Sequence, residues 1–205
     1  MQLIQAYNQL KQLNQPVIET RDAVACLNLT TTHASKLLAR LAKHRQLVHI
    51  NRGLWAFPEK MDVLALPEYL TRPFPSYISL QTALYHHGMI SQIPSVTYAV
   101  SLARTKRFVT PLGEISIHHL DAHFFFGFEL LENSLIKMAT PEKALLDILY
   151  LSPAKTKLFC ALPELELPST FNMKVATDII THIPSARRRA MVEKRFSKLS
   201  KAFTP

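Results

Sequence analysis

The sequence predicts an α+β fold in three parts: a helical N-terminal region ending in a short hairpin, a mixed α/β region, and a basic C-terminal helix. Three observations lead to this prediction. Apolar residues recur at helical spacing in the first part of the chain, and two short alternating segments follow around a glycine. Strand and helix patterns then alternate, and the end of the chain is a charged helical pattern. The expected boundaries are 1–60, 61–183 and 184–205.

The first part of the chain predicts three helices. The first runs from Met1 to Leu13 and ends before Pro16. Thr20 is expected to cap the second helix, and Asn28 to close it in the left-handed conformation. Thr30 or Thr31 is expected to cap the third. The apolar stripes are Leu3, Ile4, Tyr7, Leu10 and Leu13 in the first helix, and Ala34, Leu37, Leu38 and Leu41 in the third.

A hairpin follows the third helix, with its turn at Asn51-Arg52-Gly53. Three helices and a hairpin are the elements of a winged helix-turn-helix. The third helix presents a polar, basic face opposite its leucines, as insertion into a major groove requires. Arg52 would reach a minor groove or phosphates; the alternative is a basic face that is simply solvated. The predicted DNA-binding residues are Thr31, Thr32, Ser35, Lys36, Arg40, Lys43, Asn51 and Arg52.

The middle region combines helices and strands. Ser79 is expected to cap a helix that Gly88 closes, and residues 96–102 to form a buried strand. Residues 104–114 read as a basic connection or ribbon, and residues 115–126 alternate like a strand. Residues 140–151 form a helix capped by Thr140, with Pro141 in its first position. The apolar stripe of that helix is Ala144, Leu145, Ile148 and Leu149.

The last part, residues 184–205, predicts a helix capped by Ser185, and it completes an uneven charge distribution. The formal net charge is +9. Residues 1–60 contain eight lysines and arginines against three acidic residues, residues 61–183 nine against eleven, and residues 184–205 seven against one. We therefore expect a polyanionic partner for the two ends of the chain. For the C-terminal helix, phosphate contacts, an acidic protein surface and plain solvation all stay open.

Composition limits the class of protein. The chain has 205 residues, 48% of them hydrophobic and 19% charged, which is typical of a globular protein with a substantial core. No apolar run approaches the roughly 20 residues that cross a bilayer, and the N-terminus does not resemble a secretory signal. Cys26 and Cys160 make no disulfide framework. We therefore expect a cytoplasmic protein.

The histidine-rich stretch HHLDAHFFFG, residues 118–127, raises the possibility of a metal site. On a strand His119, Asp121 and His123 would share one face. A zinc site needs three or four convergent ligands, and no distant Cys or His pair completes this set. A half-exposed strand with polar residues outward is the interpretation we favour. A metal-dependent hydrolase or nuclease using these three residues stays as an alternative function.

Other enzyme signatures are missing. The sequence has no Walker loop and no GxSxG, and it has four glycines in all. Glu142 and Lys143 are weighed as the acidic-x-Lys core of a nuclease. They are adjacent at a helix start, however, so their carboxylate and amine would diverge. We expect no catalysis and no cofactor.

Three stretches occur in the order of a known family. They are Ile78-Ser79-Leu80 with Ala83, Leu84 and Gly88; Phe125-Phe126-Gly127 after a histidine-bearing segment; and Pro141 to Asp147, PEKALLD. On these stretches the chain resembles the AbiEi antitoxin family over roughly residues 16–151. The family pairs an N-terminal winged helix with a C-terminal antitoxin domain.

The resemblance implies a cytoplasmic bacterial protein that represses its own operon and counteracts an AbiEii-like nucleotidyltransferase toxin. The implied partners are a double-stranded DNA operator and that toxin. A third hypothesis is a winged-helix regulator with a ligand-sensing domain and no toxin. A neighbouring nucleotidyltransferase gene would distinguish these two regulators.

Overall fold

The computed structural model describes residues 2–132, 134–152 and 164–203. Over these residues the chain has an α+β fold with eight α-helices and two β-sheets. Cys160 lies outside the described residues. No helix within the described ranges is both long and apolar enough to cross a membrane.

The N-terminal part combines three helices with a small antiparallel sheet. Strand β3 is central in this sheet, between β1 and β2. The sequence predicts the helices and the β2–β3 hairpin, whereas β1 has too few residues to show a pattern. The elements are α1 (Leu3–Lys11), β1 (Val17–Glu19), α2 (Thr20–Leu27), α3 (Thr31–Lys43), β2 (Val48–Asn51) and β3 (Leu54–Ala56).

Local signals explain most of these helix ends. Asn28 has φ 50° and ψ 50°, the left-handed conformation predicted for it. Thr30 caps α3 by accepting a hydrogen bond from the His33 amide at 3.4 Å. The second cap is one residue away from its prediction, because Glu19 holds the N-cap position and Thr20 begins α2. In α1 the predicted stripe is partly wrong, since Ile4 is 53% exposed.

The second part is built on a six-stranded mixed sheet in the order β6-β7-β5-β4-β9-β8. Strands β5 and β7 are parallel, as are β4 and β9, and the other neighbours are antiparallel. The elements are α4 (Leu66–Leu70), β4 (Ser76–Ile78), α5 (Leu80–His86), β5 (Val96–Ser101), β6 (Lys106–Thr110), β7 (Gly113–His119), β8 (Phe128–Leu130), β9 (Lys137–Ala139), α6 (Pro141–Leu151), α7 (Met173–Thr181) and α8 (Ala186–Phe203).

Helix α6 lies at the centre of this part. Thr140 caps it as predicted, accepting from the Lys143 amide at 3.3 Å, and Pro141 occupies the first turn. The four residues of the predicted apolar stripe are buried, but so is every other residue from Glu142 to Tyr150, so this stretch has no solvent-facing side. Helices α5, α7 and α8 pack around α6 and cover the sides that would otherwise face water.

A buried polar cluster joins α6 to β4. Lys143 and Asp147, one helical turn apart, form an ion pair in which both side chains are fully buried. Asp147 also accepts hydrogen bonds from the Tyr77 hydroxyl at 3.0 Å and the Ser79 hydroxyl at 2.7 Å. Ser79 occupies the N-cap position of α5, but its side chain makes no cap hydrogen bond. The predicted capping role of Ser79 is therefore replaced by a tertiary contact.

Aromatic rings enclose the cationic end of this cluster. The Lys143 Nζ lies 3.8 Å from the centroid of the Phe124 ring and 5.6 Å from that of Phe126. Burial lowers the pKa of Lys143 and raises that of Asp147, while the charge of each partner opposes the shift. Gly127 has φ +75°, and a Cβ there would come within 3.0–3.2 Å of the Lys143 side chain. Glycine therefore lets the backbone pass directly over the lysine.

The apolar core crosses the predicted boundary at residue 60. One cluster is confined to the N-terminal helices, with Trp55 and Phe57. The larger cluster contains the core of the second part and also Val17, Ile50 and Leu54 from the N-terminal sheet. Strand β2 lies beside β6 at this junction. Removing the N-terminal part would uncover this apolar surface, so the second part is best tested within the full chain.

Candidate nucleic-acid interface

Helix α3 presents a basic, solvent-facing side. Its apolar stripe faces inward, with Ala34, Leu38 and Leu41 fully buried. Lys36, Arg40 and Lys43, by contrast, are exposed. The helical period thus separates the two faces as the sequence predicts, and the three cations stand on the side that packing leaves free.

The polar residues at the start of α3 complete this face. Thr31 and Thr32 are exposed, and Ser35 is half-buried. Thr30 satisfies the His33 amide, and the Thr31 and Thr32 side chains of the first turn face solvent. Short hydroxyl side chains at a helix N-terminus suit contacts to phosphates and base edges.

The β2–β3 hairpin holds Arg52 at its tip. Asn51 accepts a hydrogen bond from the Arg52 amide at 2.9 Å, and Gly53 takes φ +74°, so the turn needs its glycine. Below the turn, Trp55 is buried and its indole N–H donates to the Thr20 hydroxyl at 3.1 Å. The hairpin is therefore fixed to the start of α2, while the side chains of Asn51 and Arg52 are exposed.

Two further arginines lie near the hairpin tip, and neither is among the DNA-binding residues predicted from the sequence. Arg21 and Arg72 both pair with Glu19, at 2.8 Å and 3.4 Å. Together with Arg52 they line an open groove of about 320 Å³. Arg21 is the second residue of α2, and its position beside the predicted helix cap is a signal in the sequence that could have identified it. Arg72 belongs to the second part of the chain, and only the tertiary structure brings it here.

The histidine-rich stretch does not form the predicted strand beyond His119. Strand β7 ends there, Leu120 is buried, and residues 122–124 form a 3₁₀ turn. Asp121 caps that turn by accepting from the His123 amide at 2.9 Å. Within the described ranges no group of three His, Cys, Asp or Glu side chains converges to hold a metal ion. The alternative of a metal-dependent hydrolase or nuclease required His119, Asp121 and His123 to share one face of a strand. They do not, because the strand ends at His119 and a turn follows.

His118 lies on the sheet beside Ser116, whose Oγ is 3.0 Å from its Nε2. Burial lowers the pKa of His118 to about 4, below its usual value near 6.5. A histidine that folds in its neutral form contributes stability at neutral pH. That stability falls as pH drops from about 6.5 toward 4, because the unfolded chain takes up the proton first.

We expect His118→Gln to flatten the acid sensitivity of the protein. Between pH 7.5 and pH 5 the wild type should lose about 2 kcal/mol of unfolding free energy more than the variant does. Urea unfolding of both proteins at the two pH values measures this difference. His123→Gln is the control, since His123 is exposed. Equal acid sensitivity of wild type and His118→Gln would contradict the prediction.

A separate cleft of about 410 Å³ lies between α4 and the sheet. Its walls include Tyr69, Tyr77 and Ile136, and the Glu68–Lys137 ion pair at 2.9 Å lies on its lining. The volume is in the range of small-molecule sites. This cleft is the feature of the structure that supports the alternative hypothesis of a ligand-sensing regulator.

Comparisons with known proteins give no family for this chain. No protein-family model matches the sequence, and no curated protein is significantly similar to it.

Proposed function

We propose that this protein is an AbiEi-like antitoxin that represses its own operon. In this proposal residues 1–60 form a winged helix-turn-helix that binds operator DNA, with α3 in the major groove and Arg52 on the flanking backbone. The second part counteracts a nucleotidyltransferase toxin. The protein acts by binding, without catalysis of its own.

The exposed basic face of α3 is the observation that carries the DNA-binding proposal. The order α1-β1-α2-α3-β2-β3 agrees with a winged helix. Lys36, Arg40 and Lys43 are exposed on one helix whose other side is buried. Arg52 lies at the tip of the β2–β3 hairpin, which follows α3 directly in the chain. Positioned cations on two rigid elements are suited to binding a phosphate backbone.

The antitoxin half of the proposal rests on the resemblance to the AbiEi family. Contacts between the three stretches that carry the resemblance support it. Its three stretches meet in space. Ser79 of the first donates to Asp147 of the third, and Gly127 of the second lies against the Lys143 side chain. One or two residues from each stretch thus meet at the buried Lys143–Asp147 pair in the second part. In this proposal the three stretches stabilise the fold of the second part, and the toxin binds to other residues on its surface.

Operator binding should be strongly salt-dependent. Contacts to about four to six phosphates predict that log K falls with log salt concentration with a slope of about −4 to −5. Fluorescence anisotropy with a labelled duplex from upstream of the gene, measured at several salt concentrations, gives this slope. A scrambled duplex is the control for sequence preference. A flat salt response would rule out the DNA-binding proposal.

A further inference from the structure

Helix α8 carries a second set of cations that is separate from α3. It packs on α6 and α7 with Val192 and Phe196 buried. Seven of its residues are lysine or arginine, and Glu193 is its one acidic residue. Three of the seven are engaged with the fold. Arg188 stacks on the Tyr150 ring, Arg189 donates to the Thr181 carbonyl at 3.2 Å, and Arg195 donates to the Ser152 hydroxyl.

The other four cations form one exposed line, which we call the α8 stripe: Arg187, Lys194, Lys198 and Lys201. At 100° per residue they lie within about 60° of one another, on the side of the helix away from Val192 and Phe196. From first to last the stripe is about 21 Å long. Across the described part of the chain, the four side chains enter no ion pair and no hydrogen bond. Among the described residues, the stripe is thus a row of four cations without an acidic partner.

We propose that the α8 stripe binds the phosphate backbone of nucleic acid without reading its sequence. Charge complementarity is the first argument, since a duplex carries about one negative charge per 1.7 Å of its axis. A duplex segment about 21 Å long therefore carries a dozen or so phosphates around its two strands, several times the number of side chains in the stripe. This surface is additional to the operator-reading face of α3 and does not depend on it.

The surroundings of the stripe favour nucleic acid over two other polyanions. A helix that binds a membrane surface inserts an apolar face, but Val192 and Phe196 are buried against the protein. A stable protein interface has aromatic or aliphatic anchors at its centre and few lysines. Beside the stripe, Ala190 and Ser197 are small, and Met191 is half-buried and packs against the core. Among the described side chains of α8, no large hydrophobic one is exposed, so no anchor is supplied. Sequence-independent phosphate binding needs cations alone.

The test uses the full chain carrying Lys36→Ala and Arg52→Ala, so that the proposed operator face is disabled. The probe is a 20-base-pair duplex of scrambled sequence, and anisotropy is followed against salt concentration. Adding Lys194→Gln and Lys198→Gln should weaken binding about 10-fold and reduce the salt slope by about 2. The charge-matched control adds Lys60→Gln and Lys174→Gln, two exposed lysines outside α8, and should change binding less than 2-fold.

Equal weakening by the stripe variant and the control would overturn the proposal, because only net charge would then matter. So would duplex binding that is unchanged by the stripe variant. Vesicles of phosphatidylglycerol and polyglutamate serve as the other polyanions. If the stripe variant weakens binding to either of them and leaves the duplex unaffected, the stripe is a membrane or protein surface instead. Because the probe contains no operator, failure of operator recognition leaves this result interpretable.

Discussion

Replacing Lys36 and Arg52 together by alanine should abolish specific operator binding while leaving the protein folded. Both side chains are exposed, and neither pairs with an acidic residue across the described part of the chain. Each base or phosphate contact of this kind contributes about 1–3 kcal/mol, so losing two should weaken binding at least about 30-fold. Anisotropy with the upstream duplex measures the loss. The free energy of unfolding, measured by thermal unfolding, should change by no more than about 0.5 kcal/mol per substitution.

The matched control is Lys60→Ala with Lys174→Ala, which removes the same charge from other exposed positions. It should retain operator binding to within a few-fold. The same two proteins also separate repression from antitoxin activity. With the neighbouring toxin induced, the Lys36→Ala/Arg52→Ala protein should still rescue growth but no longer repress a promoter reporter. Loss of rescue in a folded variant would show that the N-terminal part takes part in neutralisation. Unfolding of the variant would show that the two side chains support the fold.

Lys143→Met should produce the largest loss of stability of any substitution considered for this protein. It leaves the Asp147 carboxylate buried with the Tyr77 and Ser79 hydroxyls but without a cation. Removing one partner of a buried ion pair costs about 3–5 kcal/mol, which lowers Tm by about 10 °C in a chain of this size. Urea unfolding at neutral pH, with thermal unfolding alongside, measures both quantities.

Two comparisons assign this loss to the buried pair. Lys137→Met breaks the ion pair with Glu68, in which the side chains are 30% and 42% exposed, and should cost about 1 kcal/mol or less. Lys143→Met combined with Asp147→Asn should cost less than the two single changes added together, because no unpaired charge is then buried. A Lys143→Met cost as small as that of Lys137→Met would contradict the role of the cluster. So would strict additivity.

Local signals determined the helical elements near the N-terminus. The leucine spacing of α3, Thr30 before it and Asn28 after α2 each act within a few residues, so they are readable without tertiary information. The same holds for Thr140 and Pro141 at the start of α6. For the predicted DNA-binding residues, the helical period alone separated exposed Lys36 from buried Leu38. Whether these residues bind DNA stays a prediction.

Tertiary packing decided what those signals could not. Residues 115–126 alternate like a strand, yet the chain turns after His119, because Asp121 caps a turn that buries Phe124 against Lys143. Helix α6 shows a stripe in sequence, but neighbours on all sides bury it, and Lys143 and Asp147 can enter the core only as a pair. Arg72 reaches the hairpin tip from a distant segment. Periodicity reports which side of an element is apolar, whereas partners for buried charge and contacts between distant segments arise only when the elements pack together.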